Sequence, residues 1–128
     1  MFMKKSILLS FLMILTMLCY GQRSEKSFQG MVGRNFGSVV GMEITKDNVA
    51  ETVFSGIYET KGSGSLPATG KMLKSNNRFG MTVWSQDKST VLMYFNGYMN
   101  KATLTITGQV TDSNNKYVCE FSFKSVKN

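Results

Sequence analysis

Residues 102–124 read ATLTITGQVTDSNNKYVCEFSFK. Two runs of alternating character flank the turn-forming Asp112-Ser113-Asn114-Asn115. In the second run Tyr117, Cys119, Phe121 and Phe123 fall on one side, and Val118, Glu120, Ser122 and Lys124 on the other. Successive side chains of a strand point to opposite faces, so this is the pattern of a strand with one buried face. In the first run Leu104, Ile106 and Val110 oppose Thr103, Thr105, Thr107 and Gln109. Two such runs across a short polar link predict an antiparallel hairpin.

The same rhythm extends back along the chain. Strands are predicted over 27–33, 39–45, 51–60, 67–74, 78–85, 90–99, 102–111 and 117–126. The separators carry turn chemistry: Lys46-Asp47-Asn48, Gly62-Ser63-Gly64-Ser65, Ser75-Asn76-Asn77, Gln86-Asp87-Lys88 and Asn100-Lys101. No long stretch shows helical periodicity. Eight short strands joined by short links predict an all-β fold, an eight-stranded antiparallel up-and-down β-barrel, whose closure removes exposed sheet edges. The sixth stretch departs from simple alternation. Leu92 and Tyr94 lie on one face, and Val91, Met93, Phe95 and Met99 on the other. A strand apolar on both faces is covered on both, which predicts a homo-oligomer. Met31, Met42, Met81, Met93 and Met99 read mostly as core filler.

The N-terminus reads as a targeting segment. Lys4 and Lys5 precede an apolar run over 6–18, too short to span a bilayer, and small residues lead up to Gly21-Gln22. This is the pattern of a secretory signal peptide, residues 1–21, cleaved before Gln22. Residues 22–128 then form one domain, secreted or held in a periplasm or at a cell surface. A lipoprotein signal places a lipidated Cys just after the apolar run. Cys19 is so placed, but Leu18 stands where a small residue is wanted, so membrane attachment is expected only with Cys19 lipidated. Removing residues 1–21 leaves Cys119 as the one cysteine, without an internal disulfide partner. It is either a buried thiol, which Tyr117, Phe121 and Phe123 on its side of the strand favour, or an intermolecular bridge.

Composition excludes much chemistry. There is no His in the chain, so Ser-His-Asp and Cys-His nucleophiles and His-based metal sites are absent, and no metal is expected. The mature acids, Glu25, Glu43, Asp47, Glu51, Glu59, Asp87, Asp112 and Glu120, form no calcium loop and fall mostly in turns or on outward faces. Fifteen Lys and Arg, less Lys4 and Lys5, face eight Asp and Glu, a net charge of +5 scattered singly along the chain. That is a soluble basic surface, without a nucleic-acid-binding motif. The expectation is a binding protein, not an enzyme, with no cofactor.

Three stretches resemble the avidin/streptavidin family. Phe28-Gln29-Gly30-Met31-Val32-Gly33-Arg34-Asn35-Phe36-Gly37-Ser38 is similar to that family's first strand and turn. Ser55-Gly56-Ile57-Tyr58-Glu59-Thr60 resembles its third-strand Gly-x-Tyr-x-Ser/Thr, and Phe79-Gly80-Met81-Thr82-Val83-Trp84 its fifth-strand Phe-Gly-Phe-Thr-Val-x-Trp. The resemblance implies biotin bound at the open end of the barrel. It implies that Ser38 and Tyr58 donate to the ureido oxygen, that Thr60 lines the rim, and that Thr90 approaches the sulfur. Asn35 takes the family's Asn role through a one-residue slip, and Trp84 supplies an aromatic wall.

The departures bear on that role. Val32 stands for a Trp and Arg34 for an Asn. Gly108 lies near a missing seventh-strand Trp, and no eighth-strand Trp appears. Trp84 falls one residue early, which turns it to the other face unless a bulge intervenes. The expectation is weak biotin binding or a different ligand. The alternatives are a secreted protein-interaction module and a lipocalin-like carrier on a similar barrel. A hydroxyl-lined mouth favours the first reading, a filled interior the second, and a deep apolar cavity the third.

Overall fold

A computed structural model describes residues 26–62 and 64–127. The proposed signal peptide, with Cys19 and the cleavage position, lies outside the described residues. The strands are β1 (Lys26–Val32), β2 (Asn35–Asp47), β3 (Glu51–Thr60), β4 (Gly64–Leu73), β5 (Arg78–Trp84), β6 (Val91–Asn100), β7 (Thr105–Asp112) and β8 (Tyr117–Lys127). Each pairs antiparallel with the next, and β1 pairs with β8 over Lys26↔Lys127 to Val32↔Phe121, so the sheet closes on itself. This is the expected eight-stranded up-and-down barrel.

Turn chemistry decides where strands start. Gly33 adopts φ 61°, which a residue with a Cβ rarely takes, and so a two-residue turn joins Val32 directly to Asn35. Residues 35–38, expected to lie between strands, therefore open β2. At the opposite end Asn100 Oδ1 accepts from the Ala102 and Thr103 amides, and Leu104 adopts φ 56°. That turn occupies positions expected to begin the seventh strand and leaves Leu104 exposed.

The inward positions are Phe28 of β1, Val39 and Met42 of β2, Phe54 and Tyr58 of β3, Leu66 and Ala68 of β4, Phe79, Met81 and Val83 of β5, Phe95 of β6, Ile106 and Val110 of β7, and Phe121 and Phe123 of β8. Their rings form one connected cluster. Phe28, Phe54 and Phe79 meet at centroid separations of 6.0–6.1 Å. Phe79 reaches Phe121 at 6.2 Å, Phe121 reaches Phe95 at 5.0 Å, and Phe95 contacts Phe123 at 5.7 Å and Tyr58 at 5.3 Å. Phe54–Phe79 and Phe95–Phe123 are stacked and the other pairs edge-on or tilted. Aromatic pairs in such arrangements contribute roughly 0.5–1.5 kcal/mol each beyond burial. The middle of the barrel is thus filled with side chains.

Methionine assignments divide. Met42 and Met81 are in the core and Met93 and Met99 pack against it, whereas Met31 is exposed. Tyr117 also departs from the alternation of residues 117–123. Val110 pairs with Cys119 but Thr111 with Tyr117, so one extra residue on β8 turns Tyr117 outward. On β6 the inward Phe95 is fully buried, while Leu92 and Tyr98 remain exposed on the outer face of the single chain.

Candidate functional site

An outer groove of about 500 Å³ crosses β2–β5 near the end that carries the β3–β4 and β5–β6 turns. Its first wall comes from a bulge. Val40 pairs with Ile57 and Glu43 with Ser55, so Gly41 and Met42 together oppose Gly56. Gly41 takes φ 60°, the conformation such a bulge requires. The extra residue turns Met42 into the core and leaves Gly41 and Glu43 on the groove side.

The floor is the outer face of β3 and β4: Ser55, Ile57, Pro67 and Thr69. Proline lacks a donor and is poorly tolerated where both neighbours pair. It is accommodated because the β4–β5 ladder begins only at Ala68↔Val83. Ahead of it, the Gln86 side-chain amide donates to the Ser65 carbonyl and bridges the open seam.

The far wall is Trp84 with Lys88. Val83 is fully buried, so its neighbour Trp84 faces outward, and a register shift separates the Val83↔Met93 and Trp84↔Val91 pairs. The half-buried indole is fixed by its Nε1–H, which donates to Thr69 Oγ1 at 3.1 Å. The turn that holds Lys88 is tied together by hydrogen bonds. Asp87 Oδ1 accepts from Ser85 Oγ at 2.7 Å, Ser89 Oγ at 2.7 Å and Ser89 N at 3.0 Å. These donors, Ser85 first, hold the Asp87 carboxyl down at about 2. Lys88 adopts φ 62° and donates its amide to the Ser85 carbonyl.

Glu43 differs from most other described acids. Asp47 and Glu51 pair with lysines, Glu59 accepts from Ser65 Oγ, and Asp87 and Asp112 cap turns. Among the described residues, neither Glu43 nor Lys88 takes part in an ion pair. No group of three or more His, Cys, Asp or Glu among the described residues is placed to hold a metal.

The residues singled out in the sequence do not converge. Tyr58 is 2% exposed on the inner face, and Thr60 follows it on that face at the turn end. Ser38 neighbours the fully buried Val39 and pairs with Gln29 and Glu59, which puts it on the outer face. Asn35 is exposed at the β1–β2 turn, and Thr90 is exposed in the β5–β6 turn with its amide donating to Ser85 Oγ. Trp84 lies on the outer wall: the extra residue of the register shift beside it is Leu92 on β6, so Trp84 keeps the alternation of β5 that its one-residue offset sets. Glu43, Ser55, Thr69 and Lys88 were not among the expected site residues. The available signals were the outward Trp84, a proline inside a strand, and the broken alternation between Val39 and Met42.

Cys119 is half-buried on the inner face near the β1–β2 turn, where a Cβ on Gly33 would lie 3.3 Å from Cys119 Cβ. Burial pushes its thiol up. Burial also pushes Tyr58 from 10.0 up to about 12, with a further push from Cys119. A buried acid with a raised folded value stabilises the fold fully below its unfolded value. That contribution is lost as pH rises through the folded one. The shift corresponds to about 2–3 kcal/mol. Urea unfolding between pH 10.0 and about 12 is therefore expected to show a steep loss of stability that Tyr58→Phe flattens. An equally steep loss in the variant would remove Tyr58 as its cause.

In comparisons with known proteins, no family model, curated protein or solved structure matches this chain.

Proposed function

We propose that this protein is an exported binding module whose barrel is a scaffold and whose ligand lies on the outer wall, between the β2 bulge and Trp84. One observation carries the reading. The middle of the barrel is filled by ring-on-ring packing, while the chain's single indole stands outside in a concave groove. Small-ligand sites on the order of 300–1,000 Å³ combine an apolar lining with a few convergent polar groups. The groove has Ile57, Pro67 and Trp84 for the first, and Glu43, Ser55, Thr69 and Lys88 for the second.

A second reading keeps the ligand at the turn end of the barrel interior, with biotin as the occupant that the avidin resemblance implies. It is favoured by Tyr58 and Thr60, which share the inner face there. Against it stand the outward position of Ser38 and the absence of an indole from that face. Calorimetric titration of the purified protein with biotin separates the two. The expected result is no saturable heat. Saturable binding that Tyr58→Phe weakens by about tenfold or more, and that Glu43→Gln leaves alone, would move the site inside the barrel.

A further inference from the structure

We infer that the groove ligand is a neutral carbohydrate, bound with one sugar ring stacked on the Trp84 indole; the inference rests on the outer-wall reading above. Four features of the groove select this class. The indole is oriented by its hydrogen bond to Thr69 Oγ1, which favours one placement of its flat face beside the groove. An aromatic face already oriented stacks on the C–H face of a pyranose at a smaller ordering cost on binding.

The polar groups are then of the kind a polyol needs. The Glu43 carboxylate accepts hydrogen bonds, the Lys88 ammonium donates them, and the Ser55 and Thr69 hydroxyls do both. A sugar hydroxyl also donates and accepts, so it can satisfy each of these partners.

Charge argues against the other classes. One carboxylate and one ammonium line the groove, neither in an ion pair among the described residues, and together they sum to zero. A phosphate or nucleotide would meet Glu43 unfavourably, and a polyamine would meet Lys88. A fatty chain would desolvate both charges with nothing to compensate them.

The groove also lies on the wall of the barrel instead of in a closed chamber. Three strand spacings separate β2 from β5, about 14 Å across the sheet. Such a width takes an internal stretch of a chain as readily as a free end. The structure therefore points to oligosaccharide segments, with Trp84 stacking one unit and Glu43 and Ser55 contacting another across the floor.

Trp84 is the only tryptophan in the chain, so its emission reports on this groove alone. The purified protein is titrated with cello-, chito- and laminari-oligosaccharides. At least one is expected to change Trp84 emission saturably. Glu43→Gln and Ser55→Ala are each expected to weaken that binding by about tenfold, with unchanged melting temperature. Trp84→Ala, followed by calorimetry because it lacks the reporter, is expected to abolish it. No emission change with any of the three, up to their solubility limits, would overturn the carbohydrate assignment. Oligosaccharide binding that persists in Trp84→Ala and Glu43→Gln would overturn it too, because the sugar would then sit elsewhere. The outer-wall reading fails on a different result, biotin binding that depends on Tyr58, so the two failures are told apart.

Discussion

Gly108→Ala is expected to destabilise the barrel by about 3 kcal/mol or more, the upper range for forcing volume into a packed interior. Gly108 and Gly97 pair across β7 and β6. A Cβ at Gly108 would lie 2.0 Å from the Asn96 carbonyl oxygen and 2.5 Å from Gly97 Cα. Both obstacles are backbone, so no side chain can rotate away, and relief requires the two strands to separate at their closest approach. Folded domains have only about 5–15 kcal/mol in reserve, so the variant loses a large share of it. Gly80→Ala is the control. Its Cβ points to open space, with only Asn96 Oδ1 near at 3.9 Å. Replacing that strand glycine is expected to change stability by less than about 1 kcal/mol, and in the favourable direction. Urea midpoints compare the two. Equal, small effects would mean that β6 and β7 do not approach as closely as described.

Phe95→Ala is expected to cost about 3–5 kcal/mol, the usual range for deleting a buried ring. Phe95 is fully buried and is where the cluster converges, touching Tyr58, Phe121 and Phe123. Its loss removes three ring contacts and leaves a cavity between strands that closure holds apart. Trp84→Ala removes a larger side chain but a half-exposed one outside the core, so its cost is expected to be smaller. Thermal or urea unfolding that ranked Trp84 above Phe95 would contradict the division between a tightly packed interior and a half-exposed outer wall.

Much of this arrangement is legible before any coordinates. Cys119, Phe121 and Phe123 declare an inward face by alternation alone, and the offset of Trp84 from Phe79, Met81 and Val83 places it outside. Period-two reading fails where the ladder slips. Val39 and Met42 both point inward although three residues apart, because Gly41 adds a residue. Tyr117 shares the parity of Cys119 but faces outward for the same reason on β8. The groove was harder to foresee than the fold. Glu43, Ser55 and Thr69 are polar residues on outward faces, where solvated surface is the ordinary outcome. Only the bulge on one side and the open β4–β5 seam on the other make their shared surface concave.

The pairing of β1 with β8 also has a kinetic consequence. Every other ladder joins neighbours in the chain and can form as a local hairpin, but Phe28↔Ser125 joins residues almost the full domain apart. Until that contact forms, β1 and the growing end of the sheet are unpaired edges, and the rings of Phe28, Phe54 and Phe79 lie open to water. Contacts so distant in sequence are the slow ones to form, because the loop they close is long and its entropy is lost before the core packs. Synthesis of the final strand is therefore the step at which this chain becomes able to fold. A chain emerging from one end can form its hairpins one by one but cannot close the barrel until β8 is available to pair with β1.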